Sequence, residues 1–130
     1  MTKVFIDGSA GTTGLRIYER LGARADIELI SLSDELRKDA NARREALAAA
    51  DIAFLCLPDA AAIEAVELAR DAHTRIIDTS TAHRTSDGWT YGFAELGHRD
   101  AIKSARLVAN PGCHASGFIA LINPLIKAGI

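Results

Sequence analysis

The chain has 130 residues, enough for one domain with a real core. It is 48% apolar and 25% charged, with 15 basic against 17 acidic groups and a formal net charge of −2, an ordinary globular composition. No basic patch stands out, which argues against a nucleic-acid partner, and no apolar run approaches the ~20 residues of a membrane helix.

Taken in chain order, apolar runs alternate with helical patterns. Lys3–Asp7 reads as a strand, too short and too quickly interrupted to be a signal peptide. Thr12–Leu21 reads as a helix, with Leu15, Tyr18 and Leu21 at helical spacing and Gly22 as its stop. Ile27–Ser33 is a second strand, and alanine-rich Ala42–Ala50 a second helix. Ile52–Leu57 is a third strand ended by Pro58, and Ala60–Ala72 a helix whose turns are marked by Ile63, Val66 and Ala69. Arg75–Asp78 and Arg106–Ala109 are the fourth and fifth strands. Between Thr79 and Lys103 the pattern lapses into a long segment carrying Trp89, Tyr91 and Phe93, too aromatic for disorder. A last helix begins near Ala115, and Pro124 should end or kink it.

This alternation predicts an α/β fold, a Rossmann-like doubly wound parallel sheet with helices on both faces. Residues 1–130 are expected to form one nucleotide-binding domain. Phe118–Ile126 is apolar enough to need a partner surface, which suggests the N-terminal portion of a longer protein.

Gly8-Ser-Ala-Gly11-Thr-Thr-Gly14 follows the first strand and opens the first helix. Glycines there let the backbone approach a pyrophosphate, and free N–H groups at the helix start bind its charge. Gly8, Gly11, Thr12, Thr13 and Gly14 are the candidate cofactor residues. The spacing is G-x-x-G-x-x-G, and the strand–turn–helix context raises it above a structural turn. The second strand closes with Ser31-Leu-Ser33, followed by Asp34, Glu35, Arg37 and Lys38. Ser33 and the bases suit a 2′-phosphate, a slight lean to NADP, whereas Asp34 can bind an unphosphorylated ribose.

Asn110-Pro111-Gly112-Cys113 sets a cysteine at the junction of a strand and a helix. N–H groups and the helix dipole there favour a thiolate. A free cysteine is more often a small buried hydrophobe, the fate expected for Cys56 inside Phe54-Leu-Cys-Leu57. Cys113 is the candidate nucleophile. Beside a nicotinamide, its thiolate would attack an acyl carbon, expel a leaving group and leave a thioester for reduction to an aldehyde. The two cysteines form no disulfide framework or metal-ligand spacing, and a reducing, cytoplasmic setting is expected. The chemistry needs a proton carrier. His114 is adjacent, but neighbouring side chains usually diverge; His83 either approaches the site or only orders its loop. His73 and His98 read as surface residues. Arg84 follows the fourth strand on the ligand-binding side and can clamp a phosphate leaving group or be a solvated loop arginine.

These pieces resemble the N-acetyl-gamma-glutamyl-phosphate reductases of arginine biosynthesis, their shorter type 2 branch in particular. Val4–Gly14 is similar to that branch's opening. Asp78-Thr-Ser-Thr-Ala-His-Arg84, Trp89-Thr-Tyr-Gly-Phe-Ala-Glu-Leu96 and Asn110-Pro-Gly-Cys113 match its later motifs in order. The resemblance implies NADPH-dependent reduction of N-acetyl-glutamyl 5-phosphate to the semialdehyde, with Cys113 as thioester-forming nucleophile. It implies Ser80 near the nicotinamide, and Arg84 with Asn110 at the substrate. It also implies a small-molecule acyl-phosphate substrate and an oligomer in the complete protein. Related aspartate-semialdehyde dehydrogenases share the chemistry and are the alternative, as is a nucleotide-binding module without chemistry. The family's aromatic residue after the cysteine is replaced here by His114-Ala-Ser116. Its catalytic histidine and subunit contacts lie in a second domain after this point, so these 130 residues alone should bind nucleotide with little turnover.

Overall fold

The computed structural model describes residues 1–130, which begin with a strand and alternate strand and helix thereafter. The elements are β1 (Thr2–Asp7), α1 (Thr12–Gly22), β2 (Ile27–Ile30), α2 (Ala40–Ala49), β3 (Ile52–Leu55) and α3 (Asp59–Leu68). After β4 (Arg75–Asp78) come β5 (Thr90–Tyr91), a 3₁₀ turn (Ala94–Leu96), α4 (Arg99–Ser104), β6 (Leu107–Ala109) and α5 (Cys113–Lys127). All six strands are parallel, in the order β2-β1-β3-β4-β6-β5. The chain first moves outward from β1 to β2 and then returns to β3 on the other side of β1. A crevice opens where the direction reverses, at the carboxyl ends of β1 and β3.

One sheet face carries the main core. Phe5, Ala53, Leu55 and Ile76 point into it and meet Ala46, Leu47 and Ala50 around α2, with Ala62, Ala65 and Ala69 around α3. The alanines bring both helix backbones close to the sheet, which explains the alanine bias of these segments. The buried side of α3 is therefore alanine, while Ile63 is 55% exposed. Asp39 starts α2 by accepting a bond from the Ala42 N–H at 2.7 Å. The opposite face carries α1, packed on β1 and β2, and α4, which reaches the sheet when Arg75 donates to the Ile102 carbonyl.

The doubly wound parallel sheet agrees with the sequence. Several boundaries differ. β2 stops at Ile30, where its ladder with β1 ends at the Phe5–Ile30 pair, so Ser33 lies in the following turn. Cys56 sits just past the end of β3, half-buried, and not in mid-strand core. The lapse after Thr79 contains β5, the 3₁₀ turn and α4, all too short to display a period. His98 starts α4 and is half-buried, its Nδ1 3.2 Å from the Tyr91 carbonyl, so it is not a plain surface residue. Pro124 does not end α5: one rung is lost, and the helix closes on Ala128, whose N–H reaches the Pro124 and Leu125 carbonyls. No helix is long and apolar enough to cross a membrane. Along α5, Phe118, Leu121, Leu125 and Ile126 are exposed.

Candidate active site

The loops after β1, β3, β4 and β6 emerge from one edge because the strands are parallel. Across the sheet, β1 and β6 are three strand spacings apart, roughly 14 Å.

Gly8 has φ +86°, and a side-chain carbon there would fall 2.2 Å from the Cys56 carbonyl oxygen. One at Gly14, which is buried, would fall 2.3 Å from the Gly8 carbonyl oxygen. The turn thus packs backbone on backbone at the crevice, and only glycine allows it. Gly11 caps α1, and its N–H donates to the Gly8 carbonyl at 3.1 Å. The N–H groups of Thr12, Thr13 and Gly14 have no acceptor within the protein. They form an open anion cradle at the positive end of α1. Beside it lies a cavity of about 100 Å³ whose walls include Gly8, Ser9, Tyr18, Ser31 and Arg37. Ser33 is not among its lining residues, and Tyr18 is an addition that sequence reasoning missed. Arg37 pairs with Asp34 at 2.8 Å. The turn, the open amides and the adjoining cavity fit a dinucleotide.

The loop after β4 is built around Asp78, which is fully buried. Its Oδ1 accepts from the Ser80 N–H at 2.9 Å, and its Oδ2 from the Ser80 hydroxyl at 2.7 Å. His83 Nδ1 lies 2.6 Å from the same Oδ2. The His83 ring stacks on Trp89, with centroids 4.1 Å apart and planes 13° from parallel. Ser80 and His83 are buried. Of the two roles open to His83, this geometry supports ordering the loop. The Ser80 hydroxyl is likewise committed internally. From outside, the loop is tied to α3: Asp59 accepts from the Thr81 N–H at 2.9 Å and from its hydroxyl, and these bonds lower the Asp59 carboxyl below its ordinary value.

This loop delivers Arg84 to the start of α5. Arg84 Nε donates to the Asn110 carbonyl at 3.1 Å and Nη2 to the Thr79 carbonyl at 3.3 Å. Nη1 has no protein acceptor and lies against Gly112, where a side-chain carbon would sit 2.6 Å away. Asn110 joins the two loops through its backbone, its N–H donating to the Asp78 carbonyl at 2.8 Å, while its side chain is exposed. Gly112 caps α5, Cys113 is its first residue, and the thiol is exposed. The N–H groups of Cys113, His114 and Ala115 have no acceptor within the protein. The Cys113 and His114 side chains do not diverge; Sγ and Nδ1 lie 3.5 Å apart. Burial pushes the Cys56 thiol up, opposed by a hydrogen bond with Thr79. One cysteine is thus exposed, one residue after the glycine that Arg84 packs against, and the other is half-buried and hard to ionise.

The family model described as semialdehyde dehydrogenase, NAD binding domain, matches residues 33–105. Curated N-acetyl-gamma-glutamyl-phosphate reductases are similar over 98% of the chain: 55% identical in Trichormus variabilis, 58% in Chelativorans sp. and 56% in Brucella ovis. The chain spans 40–42% of the length of these relatives. Among solved structures, the aspartate semialdehyde dehydrogenase of Francisella tularensis superposes with a TM-score of 0.71 at 21% identity, over 99% of this chain and 42% of that one. The Candida albicans enzyme solved with NADP gives 0.68 at 13% identity, over 98% and 47%. At such identities the likeness is one of fold.

Proposed function

This chain belongs to the semialdehyde dehydrogenase family through its NAD-binding domain, and we propose that it is the cofactor-binding, cysteine-bearing part of an N-acetyl-glutamyl-phosphate reductase. The observation that carries the reading is the exposed Cys113 at the start of α5, preceded by Gly112, against which the uncommitted Nη1 of Arg84 lies. The similarity of the whole chain to enzymes named for that reaction favours the glutamyl substrate over the aspartyl one.

NADPH, when bound, supplies the hydride. Gly8, Gly11 and Gly14 would admit its pyrophosphate, and the amides of Thr12, Thr13 and Gly14 would hold it. Arg37 and Ser31, on the cavity wall, suit a 2′-phosphate, with Ser33 close by in the chain, and this supports NADP as the cofactor. Ser80 serves the cofactor side by fixing the loop through Asp78.

Cys113 acts as a thiolate. Its sulfur bonds to the acyl carbon, the carbon–oxygen bond to phosphate breaks, and phosphate departs with that electron pair. Arg84 Nη1 and the open amides of α5 receive the charge, while Asn110 lines the substrate side. His114 is near enough to take the thiol proton beforehand. The thiol must stay reduced, which fits a cytoplasmic enzyme. The remaining length of the relatives would bring further substrate contacts and an oligomer interface. The present chain alone is proposed to bind nucleotide and accept an acyl group with little turnover.

Mass spectrometry tests this. Incubation with N-acetyl-glutamyl 5-phosphate should release phosphate and leave an acyl mass on the Cys113 peptide. No adduct, or equal labelling of Cys56, would overturn the reading. The full-length enzyme, assayed with NADP, phosphate and each semialdehyde, should prefer the N-acetyl-glutamate compound; activity on the aspartate compound alone would reassign the substrate.

A further inference from the structure

A buried ion pair, Asp7 with Arg43, extended to the exposed Glu64, adjoins the glycine turn and has no part in thioester chemistry. Asp7, 4% exposed, closes β1 one residue before Gly8 and lines the cavity beside the turn. Arg43, 6% exposed, arrives from α2. Its Nε and Nη2 donate to Asp7 Oδ2 at 3.1 and 3.0 Å, and its Nη1 to Glu64 Oε2 on α3 at 3.0 Å. Burying such charges is costly, and two apolar side chains would serve packing as well. The acid nevertheless stands at the residue of β1 that abuts the anion cradle. Burial pushes the Asp7 carboxyl up even with Arg43 beside it; without Arg43, and where it is ionised, its charge would repel a pyrophosphate held by the next few residues.

We propose that Arg43 is a positioning residue for the bound dinucleotide: it neutralises Asp7 and draws the carboxylate toward α2, so that the pyrophosphate meets amide donors and no uncompensated anion. Glu64 aims the guanidinium. Arg43 itself touches no cofactor atom. The inference rests on the nucleotide reading above and adds a residue to it that binds nothing directly.

The test is a binding titration of the 130-residue chain with NADP+ by calorimetry, using Arg43→Met, Asp7→Asn and the double variant, with melting curves to establish folding. At pH 9, where an unpaired Asp7 is ionised, Arg43→Met should weaken NADP+ binding about tenfold or more, and by less near pH 6. The double variant, which removes both charges, should return to within about threefold of the unaltered chain. Asp7→Asn alone should bind at least as tightly as the unaltered chain, an arm that remains decisive if Arg43→Met does not fold. Adenosine 2′-monophosphate, which has no pyrophosphate, should compete equally well against all folded forms. A merely structural role would weaken both ligands and would not be rescued by the double variant. Unchanged NADP+ affinity in a folded Arg43→Met, an unrescued double variant or a weakened Asp7→Asn would each overturn the inference. Failure of the unaltered chain to bind NADP+ would instead defeat the nucleotide reading, and the inference with it.

Discussion

Arg84 and Gly112 are in direct contact: the guanidinium occupies the space where any side chain at Gly112 would begin. The loop after β4 and the helix that presents the thiol are therefore fitted to each other before substrate arrives. Gly112→Ala should displace Arg84 from the Asn110 carbonyl and destabilise the fold by about 1 kcal/mol. Once Arg84 is alanine, the same change should cost almost nothing. Urea unfolding of the two single variants and the double variant measures this coupling, and additive losses would show that the contact is not the cause.

The two cysteines should differ in reactivity. Cys113 is exposed at a helix start with open amides, whereas burial pushes the Cys56 thiol up. Near neutral pH, iodoacetamide should modify Cys113 at least about tenfold faster than Cys56. Peptide mapping over time reads both rates, and Cys113→Ser should leave only the slow one. Equal slow rates would favour a binding module without chemistry.

Asp78→Ala should strand Ser80 and His83 in the interior at a cost of about 2–4 kcal/mol. Trp89 is the only tryptophan and stacks on His83, so its emission should change in the same variant. Denaturant melts and fluorescence spectra check the two effects separately. A stable variant with an unaltered spectrum would show that the loop is held elsewhere.

Asp59 links this loop to acid stability. Its carboxyl is lowered by the bonds from Thr81. Its contribution is therefore fully present above the unfolded value of about 3.9 and is lost as pH falls through the lower folded value. The melting-temperature gap between the chain and Asp59→Asn should be constant from neutrality to about pH 5 and close in stronger acid. A gap that widened with acid would contradict the assignment.

Much of this was legible in the residues. The glycine turn, the strand–helix alternation and Cys113 each carry a local signal: special backbone geometry, a period, or a reactive side chain at a boundary. Three things were not. β5 and α4 are too short for a period to register. The role of His83 depends on Asp78 and Trp89, which meet it only in three dimensions. Arg43 reads as one more charged residue on a polar helix until β1 brings Asp7 beneath it. Past the end of β2, Ser31 and Leu32 line the cavity and Ser33 does not, a distinction between neighbours that the sequence does not carry.

The order of the sheet has a consequence for folding. β5 precedes β6 in the chain yet pairs only with β6, which slots between it and β4. β5 thus has no ladder until β6 threads into place. Asn110, Arg84 and Gly112 come into register only in that closing step. The loop after β4 and the start of α5 are thus brought together by the same strand insertion that completes the β4–β6–β5 ladder.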